Sequence, residues 1–401
     1  MAPRWRLALA TAVALGVSAC QSGPPAPPDP EPALQALAQS GYVSEPRYGT
    51  QALQETWDDG EQQLEVSFIA PAAPGAAEVP LIVYLPGLGE STGSGALWRR
   101  TWAQAGYAVL AVQPRRLTQR IWASPMAREG DFEALARNEF SSRAAARRIA
   151  TLRFALDELA RRAQTGNPLY RLADRSTIVL AGFDLGAQTA SRAAGARDAA
   201  VRAAIIISPY VLRQNPAEAA RYAAITLPVL SITGTDDADP FGIVSDPALR
   251  RTAWRAMPAG DKYLLLLAGG THALLAGNGL FDPYSASALA PGSAADGGQK
   301  RRRGRQERRG GSDAADELNF SGAGPKPLSI ADASGSGEAR GRRAGAGASG
   351  PRAYNLRQVA AVEDVSTAFL DAFVKKNVRA RDWLGRDAAR WLGASAALEV
   401  K

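Results

Sequence analysis

The hydrophobic pattern of this chain is dominated by short, almost unbroken apolar runs. The six clearest runs occupy residues 81–85, 108–112, 177–181, 203–207, 229–233 and 263–268. Runs of this length, separated by helical patterns, are typical of parallel strands that are buried on both faces. We therefore predict an α/β fold with a mostly parallel central sheet and helices on both of its faces. In such a sheet, functional side chains are expected on loops at the carboxyl ends of the strands.

Other hydrophobic patterns predict one further strand and two helices. Leu64, Val66 and Phe68 alternate with more polar residues, which predicts a half-buried strand over residues 63–70, preceded by a hairpin turn at residues 58–60. Apolar residues at helical spacing predict two helices. These residues are Ile149, Leu152, Leu156 and Leu159 in the first helix, and Val362, Val365, Phe369, Leu370 and Phe373 in the second.

The first twenty residues have the features of an export signal. Arg4 and Arg6 give a positive start, residues 7–17 are mostly apolar, and residues 17–20 have the small side chains of a cleavage site. The apolar run is too short to span a bilayer. The cleavage site ends in Cys20, as in a bacterial lipobox, so we predict a lipoprotein signal peptide over residues 1–19 and a lipid on Cys20.

Lipidation of Cys20 predicts a cell-envelope lipoprotein, with a membrane as a partner through its acyl chains. Gln21 is not the Asp associated with inner-membrane retention, so an outer-membrane location facing the periplasm or the cell surface is expected. Residues 20–40 are rich in Pro and predict an extended spacer between the lipid and the folded body.

The composition changes abruptly over residues 285–353. This segment is rich in Gly, contains the basic cluster 300–309 and has too few large apolar residues to bury a core. We predict a disordered insertion within a single domain formed by residues 41–284 and 354–395. The insertion has one aromatic residue, Phe320, so its positive charge does not predict a nucleic-acid partner.

Scarce residue types exclude further classes of site. The chain has one Cys and one His, so it forms no intrachain disulfide and no zinc site of the usual kind built from several Cys and His ligands. We expect no metal and no other cofactor.

A candidate reactive residue lies between an apolar run and a helix of small residues. Residues 182–186 read Gly-Phe-Asp-Leu-Gly, with the run 177–181 before them. This arrangement predicts a sharp strand-to-helix turn, a nucleophile elbow, that exposes Asp184 above the sheet.

An acid and a base follow later in the chain. The run 229–233 leads into a loop with three carboxylates, Asp236, Asp237 and Asp239, and the run 263–268 leads to His272, the only histidine. Nucleophile, acid and base in this order are typical of α/β-hydrolases.

These motifs together resemble the α/β-hydrolases of the predicted dienelactone hydrolase and platelet-activating-factor acetylhydrolase-like group. The resemblance covers residues 50–282 and 355–384, and it is carried by residues 79–84, 87–89, 106–109, 154–159, 182–186, 208–210, 228–237, 261–272 and 367–373.

The resemblance implies an α/β-hydrolase fold without a sizeable cap domain and a hydrolase with an ester-like or lipid-like small-molecule substrate. By position in the motif, Asp237 is the triad acid, with Asp236 and Asp239 as alternatives, and His272 is the base. The oxyanion hole is formed by the backbone N–H groups of Leu88 and Leu185.

The chain departs from the family pattern at its most reactive position. Phe183 and Asp184 stand where the family has His and Ser in Gly-His-Ser-x-Gly. The family's Ser-His-Gly is replaced by residues 85–87, Leu-Pro-Gly, and its other histidine-containing segment by residues 113–116. Only the catalytic histidine remains, as His272.

An aspartate at the elbow changes the chemistry. Attack of a carboxylate on an ester carbonyl gives a mixed anhydride, whereas attack on a saturated electrophilic carbon gives an alkyl ester that water can cleave. Two alternatives remain open. In one, His272 and Asp237 activate water directly and Asp184 positions the substrate. In the other, the chain is an inactive hydrolase relative that serves as a binding or structural lipoprotein, with Asp184 favoured by the helix dipole.

Overall fold

A computed structural model describes residues 29–72, 78–210, 216–244, 246–280 and 355–401 of the chain. The predicted signal peptide, Cys20, the first part of the spacer and the insertion 285–353 lie outside the described residues.

The described strands form one sheet in the order β1-β2-β4-β3-β5-β6-β7-β8-β9. In chain order they are β1 (Thr50–Asp58), β2 (Gln63–Pro71), β3 (Val79–Leu85), β4 (Ala108–Pro114), β5 (Ala173–Phe183), β6 (Val201–Ile207), β7 (Val229–Asp236), β8 (Lys262–Thr271) and β9 (Ala396–Val400). Strands β3 to β8 are parallel, whereas β1, β2 and β9 pair antiparallel at the two ends. The predicted α/β class with a mostly parallel sheet is therefore confirmed.

The helices cover both faces of this sheet. In chain order they are α1 (Glu31–Gln39), α2 (Ala96–Gln104), α3 (Pro125–Arg128), α4 (Phe132–Glu139), α5 (Ser142–Thr165), α6 (Leu185–Ala194), α7 (Pro216–Ala223), α8 (Arg251–Ala256), α9 (His272–Leu275), α10 (Leu356–Phe373), α11 (Val378–Arg386) and α12 (Ala388–Leu392). None of these described helices is both long enough and apolar enough to cross a bilayer.

Alternation within each strand explains why the apolar runs are unbroken. In β3, Ile82 and Tyr84 pack in the core cluster that contains α2 and α10, while Leu81 and Val83 pack in the cluster that contains α5 and α6. Both faces are covered, so both sets of side chains are apolar. The two predicted helices correspond to α5 and α10.

The end of the predicted spacer is a helix and not an extended chain. Helix α1 begins directly after Pro30, buries Leu34 and packs on α10. Pro is tolerated at a helix start because its missing N–H has no partner there. At the other end, β9 pairs with β8, so the domain extends beyond the predicted limit at residue 395.

A buried acidic pair lies beneath the segment that follows α1. The Tyr42 backbone N–H donates to Asp364 Oδ2 at 3.2 Å, and Thr101 Oγ1 donates to Glu363 Oε1 at 2.8 Å. Burial, together with the neighbouring Glu363 charge, raises the pKa of Asp364 to about 9, and burial raises the pKa of Glu363 to about 7.

This pair makes the folding stability depend on pH. Because the unfolded carboxyls release their protons near pH 4 and the folded ones retain them, we expect the free energy of unfolding to fall as pH rises from about 4 to about 9. Asp364→Asn can still accept the Tyr42 N–H bond and should gain about 2 kcal/mol at pH 8 while changing little at pH 4. Urea unfolding of both proteins at pH 4 and pH 8 measures this difference, and an equal pH dependence in the two proteins would contradict the assignment.

Candidate active site

Three predicted site residues each follow directly after a strand. Strand β5 ends at Phe183, β7 at Asp236 and β8 at Thr271, so Asp184, Asp237 and His272 all lie at the carboxyl edge of the sheet. In the β7–β8 ladder, Asp236 pairs with Thr271. This register brings the next residues of the two strands, the acid and the histidine, side by side.

The turn at Asp184 has the strained backbone expected of an elbow. Asp184 has φ 50° and ψ −110°, a conformation that non-glycine residues seldom adopt. The flanking glycine is needed for close packing, because a Cβ on Gly186 would collide with the carbonyl oxygen of Leu85. The Asp184 side chain lies under neighbouring groups and is 2% exposed.

The Asp184 carboxylate reaches the predicted oxyanion hole. The backbone N–H of Leu88 donates to Asp184 Oδ2 at 3.4 Å. Leu185 is the first residue of α6, so its N–H is one of the first four in the helix, which have no partner within the helix. Asp184 Oδ2 thus lies at the predicted oxyanion hole, whereas Oδ1 does not take part in the hydrogen bond with Leu88.

Asp237 and His272 form the predicted acid–base pair. His272 Nδ1 lies 2.7 Å from Asp237 Oδ1, and Thr233 Oγ1 donates to Asp237 Oδ2 at 2.8 Å. Although burial acts to raise the pKa of Asp237, the Arg250 guanidinium, His272 and Thr233 together hold it below its ordinary value. Asp237 is therefore ionised at neutral pH, and its Oδ1 lies within hydrogen-bond distance of His272 Nδ1.

The two alternative acids have other surroundings. Asp236 is exposed and accepts a hydrogen bond from Thr235 Oγ1 at 3.1 Å. Asp239 accepts the backbone N–H of Val244 at 3.1 Å and orders its own loop. Burial and the charge of Asp184 raise the pKa of Asp239. Of the three carboxylates, Asp237 is the one that contacts His272.

The positions that depart from the family pattern make specific contacts. The Phe183 ring lies against the His272 imidazole, with ring centroids 4.7 Å apart. Gln113 Nε2 donates to the carbonyl oxygens of Gly87 and Glu90 at 2.9 and 3.1 Å, and so orders the loop that carries Leu88.

Two further charged residues were missed by the sequence analysis. Glu90 accepts hydrogen bonds from the Gly87 N–H at 3.0 Å and from Asn278 Nδ2 at 3.2 Å, and burial raises its pKa. Arg250 is 1% exposed and contacts both Asp237 and His272. No local pattern distinguishes Arg250 from the adjacent Arg251, because its partners come from distant strands.

An apolar cover closes the carboxyl edge above Asp184. We use the term cover for residues 115–141, which connect β4 to α5 and include α3 and α4. Leu117, Ile121 and Leu135 of the cover belong to one buried cluster with Leu88 and Leu185, the two predicted oxyanion-hole residues.

The cover also contacts the loop after β7. Trp122 lies 5.8 Å from Phe241 and 6.2 Å from Phe132, measured between ring centroids. A Cβ on Gly89 would collide with the Trp122 indole, so the oxyanion loop and the cover are in close contact. The apolar runs predict loops at this edge of the sheet, but no sequence pattern described above predicts a cover.

Within the described residues, no hydrogen bond joins Asp184 to His272, although both lie at the same edge of the sheet. The same part of the chain contains no group of three or more His, Cys, Asp or Glu side chains that could hold a metal ion.

A scan against protein-family models finds no match for this chain, and a search of the curated proteins finds none either.

Proposed function

We propose that this protein is a hydrolase of the α/β-hydrolase fold in which Asp184 is the nucleophile and His272, oriented by Asp237, is the base. The observation that carries the proposal is the contact between the Leu88 N–H and Asp184 Oδ2 at 3.4 Å on a strained elbow. The order of the three residues along the chain and their positions after β5, β7 and β8 support the fold assignment.

The first step forms a covalent intermediate. Asp184 Oδ1 attacks a saturated carbon of the substrate, a new carbon–oxygen bond forms, and the bond to the leaving group breaks with its electron pair. The substrate is then an alkyl ester of Asp184. An ordinary ester is a poor substrate, because Oδ2 occupies the position where the oxyanion of a serine-type reaction develops.

The second step releases the product. His272 Nε2 takes a proton from water, and the hydroxide attacks Cγ of the Asp184 ester. Negative charge develops on Oδ2, where the N–H groups of Leu88 and Leu185 stabilise it. The bond from Cγ to the alkyl oxygen then breaks, and the alcohol leaves with the proton held on His272. The Asp184 carboxylic acid that remains loses its proton to solvent, which regenerates the carboxylate.

The surroundings of Asp184 favour an uncharged, mostly apolar substrate. The cover contributes aliphatic and aromatic side chains, and Asp239 adds a carboxyl group near the reactive residue. The Asp184 carboxylate itself repels anionic substrates. Haloalkanes combine an apolar body with an electrophilic saturated carbon, and their leaving group departs as a stable halide.

The proposal includes export and anchoring through Cys20. The small-residue site at residues 17–20, the apolar run before it and the position of the only cysteine support this part. A protein anchored in this way acts on substrates that are present in the cell envelope.

A substrate panel with a covalent probe tests the proposed chemistry. We expect the purified protein to release halide from 1-haloalkanes, and to remain active after treatment with a fluorophosphonate, which requires a nucleophilic serine. Hydrolysis confined to esters and blocked by the probe would contradict an Asp184 nucleophile. Absence of turnover across the whole panel would favour the inactive relative.

A further inference from the structure

Arg250 joins the ends of three neighbouring strands beneath the site. Its Nε donates to the Asp237 backbone oxygen at 2.9 Å and lies 3.1 Å from Asp237 Oδ1. Its Nη1 donates to the carbonyl oxygen of Ser208, just after β6, at 2.9 Å, and its Nη2 lies 3.3 Å from His272 Nδ1. The Arg250 side chain is fully buried, so its charge is not screened by solvent.

The two contacts to His272 Nδ1 compete. A ring nitrogen offers either one N–H or one lone pair, so Nδ1 cannot donate to Asp237 and accept from Arg250 at the same time. The contact to the ionised Asp237 carboxylate is the shorter, at 2.7 Å, and is in the range of charge-assisted hydrogen bonds. Nδ1 therefore carries a proton, and the Arg250 Nη2 at 3.3 Å adds a nearby positive charge without a hydrogen bond.

This positive charge opposes a second proton on the ring. An imidazolium next to the Asp237 carboxylate alone would be favoured, as in an ordinary buried ion pair. Here the carboxylate is already neutralised by Arg250, and the two cations would lie within van der Waals range of each other.

We propose that Arg250 is a positioning residue for His272: its guanidinium holds Asp237 ionised and keeps His272 as the neutral tautomer with the proton on Nδ1. Nε2 then has a free lone pair with which to accept a proton from water. This inference rests on the proposed function for its role in the reaction, but the protonation of His272 can be measured without any substrate.

Other charged groups also face His272. Glu90, from the loop after β3, interacts electrostatically with the imidazole, as does Asp237. The Phe183 ring adds no charge. Among the described residues, Arg250 is the cation in contact with this histidine.

The single histidine makes the test direct. Nitrogen-15 NMR of the full chain with labelled histidine gives signals from a single imidazole. The chemical shifts of its two nitrogens report the tautomer, and their change with pH gives the titration midpoint. In the wild-type protein at pH 7 we expect the neutral tautomer with the proton on Nδ1. The tautomer with the proton on Nε2, or an imidazolium, would overturn the proposal without any variant.

Variants separate the charge of Arg250 from its role in packing. In Arg250→Met the titration midpoint of the imidazole should move up by about one to three pH units, whereas in Arg250→Lys it should stay close to that of the wild type. The matched control is Arg148→Met. Arg148 is also buried but donates to Thr189 Oγ1 at 2.8 Å and, within the described residues, has no hydrogen bond to His272.

We expect Arg148→Met to lose stability without moving the imidazole midpoint. Equal midpoints in the wild type and Arg250→Met would overturn the proposal, as would equal shifts in Arg250→Met and Arg250→Lys. If Arg250→Met does not fold, Arg250→Gln, which also removes the charge, takes its place in the comparison with Arg250→Lys. Because none of these readouts needs turnover, failure of the proposed function leaves them interpretable.

Discussion

Replacing Asp184 with Asn is expected to abolish turnover and leave the protein folded and at least as stable. The amide lacks the nucleophilic oxygen of a carboxylate, so kcat/KM should fall by about 10³-fold or more. The fold should tolerate the change, because Asn accepts positive φ about as well as Asp and its amide oxygen can still accept the Leu88 N–H bond. Removing a buried charge also lowers the desolvation cost of folding.

The matched control for this substitution is Asp236→Asn. Asp236 lies at the same edge of the sheet and undergoes the same chemical change, but it is exposed and contacts Thr235 rather than His272. Initial rates and thermal unfolding should show an active Asp236→Asn protein and an inactive, stable Asp184→Asn protein. Turnover within about tenfold of the wild type in Asp184→Asn would exclude a covalent role for Asp184.

Replacing His272 with Gln should stop the reaction after its first step. The alkyl ester on Asp184 still forms, because attack by a carboxylate needs no base. Without the imidazole, no base accepts the proton of the attacking water, so hydrolysis of this ester should slow by about 10³-fold. Mixing the variant with a haloalkane should therefore release one equivalent of halide per protein, followed by almost no further release.

Intact-protein mass spectrometry identifies the trapped species. The mass of His272→Gln should increase by that of the alkyl group, and peptide mapping should assign the increase to the peptide containing Asp184. The same experiment with Asp184→Asn should give no adduct. If His272→Gln turns over at the wild-type rate, the pair formed by His272 and Asp237 is not the base.

The sheet could be predicted from local pattern because burial on both faces leaves a clear mark in the sequence. Unbroken apolar runs such as residues 81–85 and 203–207 indicate strands with no solvent-facing side, and both are strands in the structure. The residues that follow the strands at the carboxyl edge, including Asp184 and His272, could be anticipated for the same reason.

Contacts between distant segments could not be predicted in this way. The choice of Asp237 over Asp236 depends on the β7–β8 register, which points one side chain toward His272 and leaves the other exposed. Arg250 acquires its role from the ends of three strands. The Pro-rich residues before α1 predict an extended spacer. The structure has a helix instead, because the apolar face of α1 is stabilised by packing on α10.

A single turnover in water enriched in ¹⁸O shows whether a covalent alkyl ester forms on Asp184. With protein in excess over a haloalkane substrate, we predict that ¹⁸O enters the Asp184 carboxylate, as read by peptide mass, and that the first alcohol formed carries ordinary oxygen taken from the protein. Label in the first alcohol, with none in the Asp184 peptide, would mean that water attacks the substrate directly and that no alkyl ester forms on Asp184.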